Sequence, residues 1–307
     1  MTTLTASPHR ALLVAALGLS LAGCVSPYGS QRSTPDFGQG LDRPASARDA
    51  YHRPKQPHGR FGGSWQRPVT DEQTDELRAK SRQRRAARLE ARNDAVAAMR
   101  ARFDAMPPET SAKLLALEEA LVAEINQLRQ DPAGYTEKLA TFRHRYNGRV
   151  VSIPGYMAVR TREGTRAVND AITQARRTAP VSHLDRSKGL SHAARAHAFR
   201  LGEQGGLSTG DGDGGAAYGR MDLFGRVEGM FAENIGAVYG DANLMILELF
   251  VDDGIDTRVH RYNLLGEMFT VVGVGCAPHA KYSVVCVMNF AEGFDEEAPS
   301  ATALQVD

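Results

Sequence analysis

The stretch FTVVGVGCAPHAKYSVVCVMNF, residues 269–290, decides the fold class. Residues 269–276 and 282–290 are two runs rich in β-branched side chains. Between them Ala277-Pro278-His279-Ala280-Lys281 reads as the loop of a hairpin. The periodic segments before it are helical. Leu114, Leu117, Leu121, Ile125 and Leu128 recur at intervals of three and four. Asp131-Pro132 stops that helix and opens a short second one. Residues 164–176 carry Val168, Ala171, Ile172 and Ala175 on one face, and residues 190–202 carry Leu190, Ala193, Ala194, His197 and Leu201. Residues 241–252 form the last helix, with Asp241 as its cap. Helices first and strands late predict an α+β domain, with helices flanking an antiparallel sheet.

Outside that domain the composition changes twice. Residues 71–106 hold neither Gly nor Pro and are rich in Arg and Ala, which predicts a helical arm. Its acids come first and its bases follow, as the helix dipole favours. Arg78, Lys80, Arg82, Arg84, Arg85 and Arg88 make it the most basic segment, read here as a solvated stalk rather than a lipid-binding surface. Residues 24–70 are dominated by Pro, Gly, Ser, Arg and Gln and cannot bury enough surface to fold, so they are expected to be a flexible tether. The N-terminus runs from His9-Arg10 through an apolar segment to Leu21-Ala22-Gly23-Cys24. That pattern is an export signal, residues 1–23, ending in a lipobox whose acylated residue is Cys24. The expected location is therefore extracytoplasmic, lipid-anchored to a bacterial membrane, and to the outer membrane if the cell has one. With 37 basic and 36 acidic residues in 307, the chain has no whole-protein field for nucleic acid, and export removes that partner as well. Residues 295–307 read as a flexible tail.

Within residues 111–294 five motifs follow one another: Glu124-Ile125-Asn126-Gln127-Leu128-Arg129, Leu190 to His197, Ala232-Glu233-Asn234-Ile235-Gly236, Val259-His260-Arg261-Tyr262-Asn263-Leu264-Leu265, and Val272-Gly273-Val274-Gly275-Cys276 before Met288-Asn289-Phe290. In this order they resemble the CAP superfamily (cysteine-rich secretory proteins, antigen 5, pathogenesis-related 1; the SCP-like domain), and most closely its bacterial secreted members. The resemblance implies an α-β-α sandwich with a cleft on one side. It also implies two His and two acids in that cleft, where a divalent metal can sit. Glu233 and His260 match one residue of each kind, and Asp252, with Asp253 as the fallback, stands for the second acid. Ser208 stands where the first His is expected, and a hydroxyl is a poor transition-metal ligand. Glu233, His260 and Asp252 then allow only a weakly bound divalent ion, with Asn234 and Ser208 completing the cleft. Glu233 and His260 are expected within hydrogen-bond or single-water distance.

The function expected is a non-enzymatic module binding a lipid, glycan or envelope protein in that cleft. A metal-assisted hydrolase using Glu233 and His260, or a structural envelope lipoprotein, are the alternatives. His197, inward by its spacing, reads as a core residue rather than a ligand. Asp211-Gly212-Asp213-Gly214 lacks the later acids of a calcium loop. Cys276 and Cys286 lie on consecutive strands of the hairpin, in a compartment that permits a disulfide, and are expected to be bonded. Two buried thiols are the alternative.

Overall fold

The hairpin forms and becomes the centre of the sheet. A computed structural model describes residues 71–207, 215–237 and 240–296. Cys24, the tether, Ser208 with residues 209–214, and residues 297–307 lie outside the described residues. In chain order the elements are α1 (Asp71–Asp104), α2 (Pro108–Gln130), α3 (Thr136–Arg143), β1 (Tyr146–Asn147), β2 (Val150–Val151), β3 (Val159–Arg160), α4 (Thr165–Arg177) and β4 (Asp185–Arg186). They continue as α5 (Lys188–Gln204), α6 (Gly215–Phe224), β5 (Arg226–Gly236), α7 (Ala242–Val251), α8 (Val259–Leu265), β6 (Val271–His279) and β7 (Ser283–Asp295). The main sheet has four strands in the order β4-β6-β7-β5, antiparallel except for the short parallel pair β4–β6. β1 to β3 make a separate small sheet.

Alternation along β7 sorts the two faces. Cys286, Met288 and Phe290 pack with α2, α4, α7 and α8 in the largest core. Val285, Val287 and Ala291 point the other way, toward α5 and α6. The result is a three-layer α-β-α sandwich, the architecture the resemblance implied. Cys276 sits directly opposite Cys286, and the two form a disulfide.

The Gly-Val-Gly motif owes its glycines to this layering. A Cβ on Gly273 would collide with the backbone of Leu190 and Ser191, and one on Gly275 with that of Arg195. Without side chains there, α5 lies close against β6. β5 is the strand its sequence hides, because Arg226, Glu228, Gly229, Glu233 and Asn234 break the apolar alternation. It forms through its register with β7, with an irregularity between Glu228 and Phe231 where Gly229 takes φ 70°.

The arm is helical as expected, but it is not wholly a solvated stalk. Met99 is buried, Phe103 meets Phe199 edge-on, and Arg88 pairs with Asp222 at 2.9 Å and also reaches the Gly225 carbonyl. Val96, Met99 and Phe103, an apolar stripe on its second half, find partners in α5 and α6. At the other end, β7 runs to Asp295, and the Glu296 carboxylate accepts from Ser187 Oγ and from the N–H groups of Lys188 and Gly189, closing the N-terminus of α5. Among the described residues, no helix is long and apolar enough to cross a membrane.

Candidate functional site

Most of the motif residues are fold pins. Asn126 holds Leu184 at both backbone groups, accepting from its N–H at 2.8 Å and donating to its C=O at 3.1 Å. Arg129 is fully buried and donates to the carbonyls of Ser182, Leu264 and Gly266. This ties α2 to the approach of β4 and to the end of α8. Arg261, also fully buried, donates to the carbonyls of Phe250 and Val251 and to Asp170 and Gln174. It closes the C-terminus of α7 and joins it to α4.

Glu233 and Asn234 are neighbours on β5, so their side chains leave the strand in opposite directions. Glu233 turns toward α5 and α6. Its Oε2 accepts from His197 Nδ1 at 3.1 Å and its Oε1 from Arg220 at 2.9 Å. Asn289, opposite it on β7, donates to Oε2 at 3.2 Å while accepting from the Ala194 N–H. His197 Nε2 faces Arg200 at 2.7 Å, so the ring is neutral with its proton on Nδ1. Burial lowers the His197 pKa against the pull of Glu233. Burial alone would raise the Glu233 pKa, but the His197 bond and the Arg220 charge outweigh it and hold the carboxyl below its ordinary value. The cluster is a buried carboxylate, a neutral imidazole and a guanidinium.

Asn234 turns to the other layer. It donates to the His260 carbonyl at 3.1 Å and accepts from Asn263 at 2.7 Å. His260 Nδ1 bonds Asp252 Oδ1 at 2.8 Å, and the other Asp252 oxygen takes the His260 N–H at 2.9 Å. Asp252 ends α7 in the left-handed conformation, φ 55°, which aspartate tolerates, and so reaches the start of α8. With Nδ1 engaged, Nε2 is the ring nitrogen left to act. An acid that orients a histidine in this way is also how general bases and metal ligands are held.

The expected pairing of Glu233 with His260 is therefore replaced by two separate pairs, Glu233–His197 and Asp252–His260, on opposite faces of the sheet. Strand alternation, invisible while β5 was unread, is the reason. Among the described residues no group of three His, Cys, Asp or Glu side chains is placed to hold a metal ion. Glu233, His260 and Asp252 thus do not fit the metal centre that the resemblance implied. Asp253, the fallback acid, accepts from the backbone N–H groups of Arg162, Glu163 and Gly164 and fixes the entry to α4. Arg220 went unread because α6 carries no clear periodicity, and His197 was set aside as core, although its inward spacing was the available signal.

Fold and motif geometry find their counterpart in a family model. Residues 169–290 match CAP, the cysteine-rich secretory protein family, and the chain carries a CAP domain. No curated protein and no solved structure matches it.

Proposed function

We propose that this CAP domain is a binding module rather than an enzyme, held outside the cytoplasm by an acylated Cys24 and taking a lipid, glycan or envelope protein. The observation that carries the reading is the saturation of Glu233: both carboxylate oxygens are engaged and its side chain is only 3% exposed. A general base must reach the proton it abstracts, and Glu233 spends its lone pairs on the fold. A second reading, metal-assisted hydrolysis, draws support from one feature alone, the Asp252–His260 pair with Nε2 uncommitted.

Melting with added zinc separates the two. A ligand that binds the folded state raises its melting temperature, and the binding-module reading expects no change at about 100 Kd of an ordinary zinc site. A rise of several degrees, lost in His260→Ala, would favour the hydrolase. The anchor has its own test. Cys24→Ala should move the protein from the membrane fraction to the soluble one or leave an uncleaved precursor. Unchanged fractionation with normal processing overturns the lipobox.

A further inference from the structure

A groove of about 490 Å³ lies between α3 and the first turns of α7, and none of the residues of the two histidine pairs lines it. Its size is that of a small-ligand pocket. Phe142, Leu244 and Leu247, all buried, line its apolar part. The polar groups around them divide into two kinds.

Most are already committed. Lys138 donates to both oxygens of Glu124 at 2.7 and 2.9 Å, and Asn243 donates to the same carboxylate at 2.8 Å. Asp241 accepts from the Leu244 N–H at 2.9 Å as the cap of α7. Two groups are not. The Arg145 guanidinium, half-buried just past the end of α3, has no hydrogen-bond or ion-pair partner among the described residues, and neither has the Glu137 carboxylate in the first turn of α3. A half-buried guanidinium facing a pocket is an anion receptor, because its planar fork matches a carboxylate. Eight residues separate the two groups, about 12 Å at the helical rise. The groove thus offers Arg145 as a free positive charge and Glu137 as a free negative one on an apolar floor, with Asp241, which caps α7 without meeting a cation among the described residues, as a second carboxylate on the lining.

We propose that this groove binds a short peptide with both ends free. A tripeptide in extended form spans about 10 Å, which matches the separation once the side chains reach inward. Its C-terminal carboxylate meets Arg145, its N-terminal ammonium meets Glu137, and an apolar central side chain rests on Phe142, Leu244 and Leu247. A plain anion would use Arg145 alone and leave the acidic end unanswered. A longer chain would place no ammonium at Glu137. The site is independent of the Glu233 and His260 pairs, so it stands or falls apart from the reading of those residues.

Calorimetric titration of the full chain with Ala-Leu-Ala tests it. Saturable binding below about 1 mM is expected. Amidating the peptide's C-terminus, or Arg145→Gln, should weaken it at least about tenfold. Acetylating the N-terminus, or Glu137→Gln, should weaken it by a smaller factor, because Glu137 is exposed and its ion pair is screened. Neither residue supports the fold through a side-chain bond, so both variants should melt with the parent. Absence of saturable binding overturns the proposal, as does equal affinity in Arg145→Gln. Sensitivity to amidation without any sensitivity to acetylation overturns it too, since the occupant would then be an anion and not a two-ended peptide.

Discussion

Glu118→Ala is expected to lower the unfolding free energy by about 3–5 kcal/mol, the cost of stripping one partner from a buried ion pair. Glu118 is fully buried on α2. It accepts from Arg195 Nε at 2.9 Å and from the Arg195 and Arg186 terminal nitrogens, and its Oε1 also takes the Cys276 N–H at 3.0 Å. One carboxylate therefore joins α2, the start of the sheet, α5 and the strand that carries the disulfide. Its removal leaves the Arg195 guanidinium, itself largely buried over the Phe103 ring, without its counter-charge. Urea unfolding of the oxidised protein measures the loss. A change below about 1 kcal/mol would mean that water reaches Arg195 freely, contrary to the packing described.

Glu233→Ala is the second large effect, expected at about 2–4 kcal/mol, because it strands His197 and leaves the partly buried Arg220 unpaired. The same cluster contributes to the pH dependence of the fold. The folded His197 pKa is below 6.5, so the unfolded chain takes up a proton there that the folded one refuses. Stability from this group is complete above about pH 6.5 and falls as the pH drops below it. The lowered Glu233 adds a loss at more acidic pH, present in full above 4.5 and gone once the pH falls through its folded value. Burial lowers His192 and His279 as well, so they share the first decline. Burial pushes Glu248 up to about 8, so that carboxyl gains stability as the pH falls over the same range. The readout is therefore the difference between two proteins: from about pH 8 to about pH 5 the urea midpoint should lose more, or gain less, in the parent than in His197→Gln. Equal slopes would mean that His197 takes up no proton on unfolding in this range.

The long helices were legible because their burial is one-sided, and the hairpin because its strands are buried on both faces and read as continuous β-branched runs. A side chain that must face a single core leaves a period in the sequence, and 114–128, 164–176 and 190–202 all show it. β5 left none. It is an edge strand whose residues serve two layers and a bulge, so charged and small residues fall where alternation would place apolar ones. That gap carried over to the site. Glu233 and Asn234 were rightly singled out, but only pairing with β7 shows that they face different layers, and the partners His197 and Asp252 follow from that. The Arg129 and Arg261 pins were legible as motif and not as role, since nothing in a sequence distinguishes a guanidinium bonded to carbonyls from one bonded to a substrate.

The arm bears on how far the domain stands from whatever holds its N-terminus. α1 comprises 34 residues, about 51 Å of helix at the usual rise. Its second half is clamped on the domain from Arg88 onward, and the turns before that are polar and exposed, with Leu77 61% accessible. Those 17 residues from Asp71 amount to about 25 Å of rod. A coil of equal length would let the domain settle against the surface to which it is tied, because a flexible chain's ends approach freely. The rod instead keeps residue 71 about 25 Å from the clamped part of the domain and in a fixed direction from it. Wherever residue 71 is held, the layer of α5 and α6, on which the arm is clamped, is carried at that distance from it.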